Sequence, residues 1–329
     1  MNILIVHNAL TTFVRIDRDL LQENYAVEEL YLKRKVNLNP IQIWKSVKRN
    51  DLVFGWFASW HTFLPILFAW LQGKPSILVA GGYDTANVPE AGYGNQQKWL
   101  PRLVTNTTIR LAKRVICNSK FTKLETMAVS GIPENRITVV YHGLPAPQPI
   151  LPTPEKENIV LNVGNLSKEN LLRKGILPFL QTAALMPDYR FIHVGKWKDK
   201  AVEQLLPQLA SNAELKGFVS EEELMMLYAK SKFYVQPSLH EGFGMSVVEA
   251  MQYGGIPLIS PFGALPEVTG DCSVIYNPIG PDQIAHSIRQ INKQKRIQKS
   301  SLARKIALTK YSLGNRKEGL MNAVETALL

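Results

Sequence analysis

The segment HEGFGMSVVEAMQYGGIPLIS, from His240 to Ser260, combines two glutamates, a glycine turn and the start of a helix. Before it, the apolar stretch from Phe233 to Gln236 predicts a buried strand. After it, an apolar helical pattern begins near Met245. The order strand, glycine loop, helix is the repeating unit of α/β proteins with parallel sheets, so this segment predicts that fold class.

The same unit has the chemistry to hold a phosphorylated sugar. Its turn consists of Gly242, Phe243 and Gly244. Glycine lets a backbone approach a ligand closely, and the free N–H groups of a first helical turn favour phosphate. Glu241 could accept hydrogen bonds from sugar hydroxyls, and Glu249 from a ribose diol. The alternative is that both glutamates are solvated, as most are.

A second candidate segment follows the predicted strand at 159–163, where Gly164 begins a loop. The loop, NLSKENLLRKG, carries three cations: Lys168, Arg173 and Lys174. Near a strand end, such cations could neutralise a departing diphosphate. Solvated charge in a turn is the alternative here too.

Length and composition set the limits of the chain. Its 329 residues suggest about two domains, and 46% hydrophobic with 20% charged residues is ordinary globular composition. The only cysteines, Cys117 and Cys272, lie far apart, which argues against a disulfide framework or a zinc site. We therefore expect a cytoplasmic protein.

Apolar runs alternate with helical patterns in both halves, which predicts two doubly wound, Rossmann-like domains. Five prolines between Pro145 and Pro154 predict a linker, and we place the domain boundary at residue 150. The predicted domains cover residues 1–150 and 151–310. Ligands of such sheets bind at the carboxyl ends of the strands, so we expect a cleft between the two strand edges.

The net charge of +11 is uneven, because residues 1–150 hold seven of the excess positive charges. Anionic lipid, nucleic acid and phosphorylated substrates all remain open on composition. From Ile41 to Arg49 the pattern is that of an interfacial helix, with an apolar face and a basic one. The apolar face comprises Ile43, Trp44 and Val47, and Lys33-Arg34-Lys35 precedes the helix. Arg102, Arg110 and Lys113 form a second basic face, and membrane docking and plain solvated surface fit both faces equally well.

Three other patterns are set aside. Leu52 to Leu71 is long enough to span a membrane, but Gly55 and Pro65 interrupt it and favour a buried strand followed by a helix. Asp17 and Asp19 lie two apart in a helical pattern and so point to opposite faces, which argues against a metal site. No GxGxxG follows the first strand, so NAD chemistry is not expected.

The spacing of Glu241 and Glu249 resembles the E-x7-E signature of retaining glycosyltransferases of family 4. Lys174-Gly175 is similar to the family's phosphate-binding lysine and glycine. The resemblance extends from about Asn158 to Tyr276, whereas residues 1–150 share mainly the order of elements. Family members usually have arginine at the position of Asn165, and Arg173 or Lys168 is the candidate replacement.

This resemblance implies the GT-B fold, with two Rossmann-like domains facing across a cleft and the last helix, at 311–329, packing back onto the first domain. It implies transfer of a sugar from a nucleotide donor, with UDP- or GDP-sugars expected, with retention and without metal. The implied donor contacts are Gly164, Asn165, Arg173, Lys174, Phe218, Val219, Glu241, Gly242, Phe243, Gly244, Met245 and Glu249. Phe218 and Val219 would hold the nucleobase through their backbone.

Three residues of the first domain are candidates for the acceptor side: Tyr83, Asp84 and His142. Asp84 follows the strand SILVA and could orient an acceptor hydroxyl, although an ordinary polar turn explains it slightly better. His142 could contact substrate or cap a strand. With Glu241 and Lys174, Asp84 completes the predicted catalytic set. We expect Glu241 to be an exposed loop carboxylate whose removal costs little stability.

We therefore predict a glycosyltransferase acting on a glycan or lipid-linked acceptor, in the cytoplasm or at the cytoplasmic face of a membrane. No tightly bound cofactor, metal or nucleic acid is expected. The alternative is an inactive GT-B-fold protein that binds anionic lipid or nucleic acid through its basic surface. An epimerase or phosphorylase is disfavoured, because the family-type E-x7-E and Lys174-Gly175 occur together.

Overall fold

The computed structural model describes residues 1–33, 39–149, 154–200, 203, 205, 207, 209–277 and 280–329. The chain divides into two compact units, each built on a six-stranded parallel sheet flanked by helices. The first unit comprises Met1–Pro89, Tyr93–Gly143 and Leu313–Leu329, and the second Glu90–Gly92 and Leu144–Ser312. The prediction of two Rossmann-like domains is confirmed. Residues 150–153, where the linker was predicted, lie outside the described residues.

The first sheet has the strand order β2-β1-β3-β4-β5-β6. Its strands are β1 Asn2–His7, β2 Ala26–Tyr31, β3 Leu52–Trp56, β4 Ser76–Ala80, β5 Arg114–Cys117 and β6 Ile137–Val139. Its helices are α1 Thr12–Gln22, α2 Pro40–Arg49, α3 Trp60–Leu71, α4 Gly82–Thr85, α5 Trp99–Leu111, α6 Lys120–Ser130 and the last of the chain, α14 Leu313–Leu328. Strands β3 and β4 are buried throughout, as expected for the centre of a parallel sheet.

Helices α1 and α14 cover one face of this sheet, and α2, α3, α5 and α6 cover the other. On the first face, Arg316 of α14 lies 2.6 Å from Asp17 of α1 in a fully buried ion pair. Asp19 is exposed, so the two aspartates of the D-x-D pattern do point to opposite faces of α1.

The apolar face predicted for an interfacial helix belongs mainly to the core. Ile43 and Val47 of α2 are buried against the sheet, whereas Trp44 is 38% exposed and packs edge-on against Phe68. That part of the prediction was wrong, because helical spacing alone cannot distinguish an apolar face that packs on the protein core from one that meets lipid. Arg34 and Lys35 lie outside the described residues.

The second sheet has the order β12-β11-β10-β7-β8-β9. Its strands are β7 Glu157–Val163, β8 Arg190–Val194, β9 Ala213–Gly217, β10 Ser231–Gln236, β11 Ile256–Ile259 and β12 Val274–Ile275. Its described helices are α7 Lys168–Arg173, α8 Ile176–Thr182, α9 Glu221–Lys230, α10 Met245–Gln252, α11 Leu265–Thr269, α12 Pro281–Arg289 and α13 Lys293–Lys310. Phe179, Phe191 and Phe233 lie in its buried core. The predicted segment, β10 followed by loop and α10, lies beside the centre of this sheet.

Candidate functional site

Three glycines close the carboxyl ends of neighbouring strands in the second sheet. Gly164 donates its N–H to Val194, and Gly195 donates to Gly217, each at 2.8 Å. A Cβ on Gly195 would lie 1.8 Å from the carbonyl oxygen of Gly164. The three strand ends can therefore pack this closely only without a side chain at Gly195, and they bring the loops that follow them to one edge.

Glu241 lies at this edge in a network of donors and cations. Its Oε1 is 3.2 Å from Lys174 Nζ and 3.7 Å from Arg173 Nη1. Gln236 Nε2 and Ser238 Oγ also approach Oε1, at 3.2 and 3.3 Å. Burial raises the pKa of Glu241, but the two cations outweigh burial and bring the pKa below its usual value. Glu241 is therefore an anion at neutral pH.

The expectation that Glu241 is an exposed carboxylate was wrong, since its side chain is only 13% exposed. The loop folds back beneath Gly263, whose backbone has φ +70 and approaches the backbone of Glu241 so closely that a Cβ would lie 2.6 Å from its nitrogen. This close approach explains why a loop residue is buried. Among the described residues, every polar contact of the Glu241 side chain ends on Oε1.

Two glycines position Lys174. Gly175 has φ +60, and a Cβ there would lie 2.2 Å from the carbonyl oxygen of Pro237, so only glycine fits without strain. Beneath the lysine, a Cβ on Gly164 would lie 3.2 Å from Nζ. The ammonium is thus set between the end of β7 and Glu241.

Arg173 is 7% exposed and lies beside Glu241. Its Nη1 donates to the His240 carbonyl at 3.1 Å, and its Nη2 donates to Asn170 Oδ1 at 2.8 Å. Asn165 and Lys168 are exposed. Arg173 and Lys168 were the two candidate replacements for the family arginine, and only Arg173 lies beside Glu241 among the described contacts. That Arg173 takes over the role of the family arginine stays a prediction.

The predicted phosphate seat begins with Gly244, at φ +95, directly before α10. Phe243 is 3% exposed and packs edge-on against Tyr311, so only its backbone can face a ligand. Ser246, in the first turn, accepts a hydrogen bond from the Tyr234 hydroxyl at 2.8 Å. Gly242 and Met245 are half-buried.

Glu249, one turn into α10, accepts a hydrogen bond from the Tyr228 hydroxyl at 2.8 Å. Burial raises the pKa of Glu249, partly offset by that bond. Tyr228 in turn stacks on Tyr253. The two carboxylates of the E-x7-E pattern thus differ, since Glu241 has cationic partners and Glu249 has a phenol.

Aromatic side chains stand at the ends of β8 and β9. Phe218 is 72% exposed with Lys196 Nζ 4.6 Å from its ring centre, and Val219 is half-buried. Trp197, 47% exposed, packs 3.7 Å from where a Cβ on Gly217 would be. Sequence reasoning missed Trp197, although an exposed tryptophan directly after a strand-ending Gly-Lys is a usable signal for a stacking surface.

In the first unit, Asp84 is 2% exposed and ties two strand ends together. Its Oδ2 accepts from the backbone N–H of Ala58 at 3.0 Å and of Gly81 at 2.9 Å. Burial raises the pKa of Asp84 to about 7 against these two bonds, which lower it. Its described contacts are those of a structural residue, and its acceptor role stays a prediction.

The other two acceptor-side candidates differ in exposure. Tyr83 is 45% exposed and packs edge-on against Tyr93. His142 is buried, stacks on Trp56 and lies 3.2 Å from the amide nitrogen of Asn118. Burial holds the pKa of His142 well below its usual value, so the ring is neutral.

The described ranges contain neither a cluster of metal-ligating side chains nor a membrane-spanning helix. No group of three or more His, Cys, Asp or Glu side chains there could hold a metal ion. Within the same residues, no helix has the length and apolar content to cross a membrane.

Two family models match consecutive parts of the chain. The model "Glycosyltransferase Family 4" matches residues 25–146, and "Glycosyl transferases group 1" matches residues 147–307. Among curated proteins, the O-antigen chain mannosyltransferase B of Escherichia coli is 28% identical over 219 residues, 60% of this chain and 56% of that protein. The GDP-mannose:cellobiosyl-diphosphopolyprenol alpha-mannosyltransferase of Xanthomonas campestris is 29% identical over 246 residues, 68% of this chain and 60% of its own length.

The matches thus span little more than half the length of these curated relatives. Among solved structures, Anabaena HepE in complex with UDP-glucose superimposes with a TM-score of 0.77 at 18% identity, covering 99% of this chain and 100% of that one. At that identity the likeness shows the fold. The two family models, which together match residues 25–307, and the curated relatives show that the chain belongs to the family 4-like glycosyltransferases, and the two sheets and the solved structure show the GT-B fold.

Proposed function

We propose that this protein is a retaining glycosyltransferase that moves a sugar from a nucleoside diphosphate to an acceptor hydroxyl. The observation that carries the proposal is the largely buried cluster in which Lys174 and Arg173 meet Glu241, the glutamate of the loop before α10. Two cations and a free helix start suit a diphosphate, and an ionised carboxylate beside them suits sugar hydroxyls.

In the proposed reaction the acceptor oxygen bonds to the anomeric carbon while the bond from that carbon to the diphosphate oxygen breaks. The acceptor proton passes to the departing phosphate oxygen on the same face, which retains the configuration. Negative charge grows on the diphosphate, and Lys174 and the first N–H groups of α10 stabilise it without a metal. Glu241 orients the sugar through Oε2 and forms no covalent intermediate.

The nucleoside is assigned to the carboxyl ends of β8, β9 and the start of α10. Glu249 would receive the ribose diol, and the backbone at Phe218 and Val219 the base, with Gly164 and Asn165 beside the phosphates. The names of the relatives support a UDP- or GDP-linked donor, since one acts on GDP-mannose and another was crystallised with UDP-glucose.

We assign a glycan or lipid-linked acceptor, supported by the O-antigen and diphosphopolyprenol relatives. Tyr83 is the exposed candidate on the acceptor side, and Asp84 and His142 would act from beneath the surface. A cytoplasmic location goes with this assignment, because nucleotide sugars are its substrates.

The test is a panel of UDP-, GDP- and ADP-sugars, with binding followed by thermal shift and turnover by nucleotide release. One donor class should raise the melting temperature and release nucleotide, and Glu241→Gln and Lys174→Ala should lose release. The matched controls are Glu222→Gln and Lys230→Ala on α9, which should behave as wild type. Donor release that persists in both site variants would contradict the assignment. Lack of response to any donor would favour the inactive binding protein.

A further inference from the structure

The outer surface of helices α2, α3 and α5 in the first unit is unusually apolar. These helices lie side by side on one face of the sheet. Seven large apolar side chains on them are exposed by 38 to 76%: Ile41, Trp44, Trp70, Leu71, Trp99, Leu100 and Leu103. We call this surface the tryptophan face. Large exposed apolar patches on soluble proteins mark sites that bind another surface.

The three helices of the tryptophan face carry cations only. They have five lysines and arginines, of which Arg49 is paired with Glu28 of β2, and no aspartate or glutamate. Helix α3 has no acidic or basic residue apart from His61, which is buried. Lys45, Lys48 and Arg102 are exposed. The surface that presents tryptophan and leucine is therefore also the surface that attracts anions.

A basic groove of 570 Å³ adjoins Trp70 at the ends of α3 and α5. Its cations are Lys74, Arg110, Lys113 and Arg136. None of the described residues that line it is acidic. Arg110 and Arg136 are held by backbone carbonyls of Ser130 and Ala112, so positive charge is fixed next to an exposed tryptophan.

Positive charge alone does not single out this face. Helix α13 of the second unit carries seven lysines and arginines and no acidic residue. Yet Ile297 is its one large apolar side chain that is exposed, among the described residues. Charge combined with several aromatic and leucine side chains is specific to the tryptophan face.

We propose that the tryptophan face docks on a bilayer that contains anionic lipids. Tryptophan and leucine enter the boundary between headgroups and acyl chains, where an amphipathic ring is favoured. Lysine and arginine, including those of the basic groove, contact lipid phosphates. The charge complementarity selects this occupant, because a second copy of the chain would bring like charges together. The proposal does not depend on sugar transfer.

The experiment is flotation of the full chain with vesicles of phosphatidylcholine alone or mixed with phosphatidylglycerol. The chain should float only with the anionic vesicles, and its tryptophan emission should shift to shorter wavelength. Trp99→Ser with Leu103→Ser should weaken partitioning by at least about tenfold. Lys48→Gln and Arg102→Gln should each weaken it about fivefold and reduce its salt dependence.

The matched control is Ile297→Ser with Lys293→Gln and Lys295→Gln on α13, which should partition as wild type. All these side chains are exposed, so the variants should fold, and nucleotide release should stay at the wild-type rate. Equal partitioning by the Trp99/Leu103 variant and wild type would overturn the proposal, as would loss confined to the α13 variant. A soluble dimer, seen by light scattering and dissociated by the Trp99/Leu103 variant, would assign the face to self-association instead.

Discussion

At the carboxyl edge of each sheet, a glycine follows a central strand and a side chain packs over that glycine, but the side chain differs. In the second sheet, Gly164 follows β7, the tip of Lys174 lies over it, and Glu241 meets the ammonium. In the first sheet, Gly81 follows β4 and the ring of Phe57 lies over it, where a Cβ would come within 2.4 Å of the ring.

The buried carboxylates at these edges differ accordingly. Glu241 has two cations and a lowered pKa, whereas Asp84 has two backbone N–H donors and a pKa raised to about 7. Burial opposes ionisation in both, and the partner decides the outcome. At neutral pH the cations therefore keep Glu241 charged, whereas Asp84, with a pKa of about 7, is partly protonated.

The largest effect is expected from Glu241→Ala. Nucleotide release should fall by at least about a hundredfold, since the sugar loses its orienting carboxylate. Stability should also fall by about 3 kcal/mol, because Lys174 and Arg173 are left largely buried without their anion. Urea unfolding and the release assay measure the two effects, with Glu222→Ala as the exposed control.

The two losses can be separated with Glu241→Gln, which keeps the shape of the side chain and its hydrogen bond to Gln236 or Ser238. Release should remain low in this variant. If Glu241→Ala has the same free energy of unfolding as wild type, Lys174 and Arg173 do not need the carboxylate. The proposed difference between the two edges would then be wrong.

A second pair of changes sharpens the comparison by adding one methyl group to each edge. Gly81→Ala should cost about 2 kcal/mol, because its Cβ overlaps the ring of Phe57, which is packed edge-on against Phe13 and Trp56. Gly164→Ala meets only the flexible end of Lys174, at 3.1 Å or more. Its stability should change by less than about 0.5 kcal/mol.

Nucleotide release should fall more in Gly164→Ala than in Gly81→Ala, which is the opposite of the order for stability. Gly164→Ala displaces the ammonium from Glu241, whereas Gly81→Ala leaves the donor side intact. Neither Gly81 nor Gly164 has a positive φ, so the added methyl group introduces no left-handed backbone strain at either position. Wild-type release by a folded Gly164→Ala variant would show that the position of the ammonium is unimportant.

The sequence predicts a strand well when the strand is buried on both faces of the sheet. Central strands such as β3 and β4 are continuous apolar runs and were predicted, with the parallel architecture. Strands β2 and β6 were missed. Ala26–Tyr31 has no fully buried residue and Ile137–Val139 is three residues long at a sheet edge, so neither has a periodic signal.

For the candidate site, the strands that precede the two loops predicted that both loops lie at the carboxyl edge of the sheet, but not which side chains meet or how they are solvated. Lys174 and Glu241 are 67 residues apart and were expected at one strand edge, where the structure has them. The burial of Glu241 depends on Gly263, and the tyrosine at Glu249 comes from α9. Such contacts between distant segments have no local pattern, so the exposure of Glu241 was mispredicted and Tyr228 was missed.

The smallest effect concerns pH and Asp84→Asn. Between about pH 4 and pH 7, folded Asp84 keeps a proton that the unfolded chain has released, because its pKa is raised from 3.8 to about 7. Wild-type stability should therefore fall as pH rises through this window, by about 1.4 kcal/mol per pH unit from this residue. Asp84→Asn has no such proton and keeps an oxygen for the N–H groups of Ala58 and Gly81. The free energy of unfolding of this variant should therefore rise relative to wild type by about 1.4 kcal/mol for each pH unit.

Urea unfolding at about pH 5 and about pH 6 measures the difference, with the exposed Asp188→Asn as control. An unchanged difference between variant and wild type at the two pH values would mean that Asp84 is ionised in the fold, as Glu241 is. If a stable Asp84→Asn variant lost sugar transfer, Asp84 would be assigned to the reacting groups and not only to the fold. The partner of the Asp84 carboxylate would then be the acceptor hydroxyl.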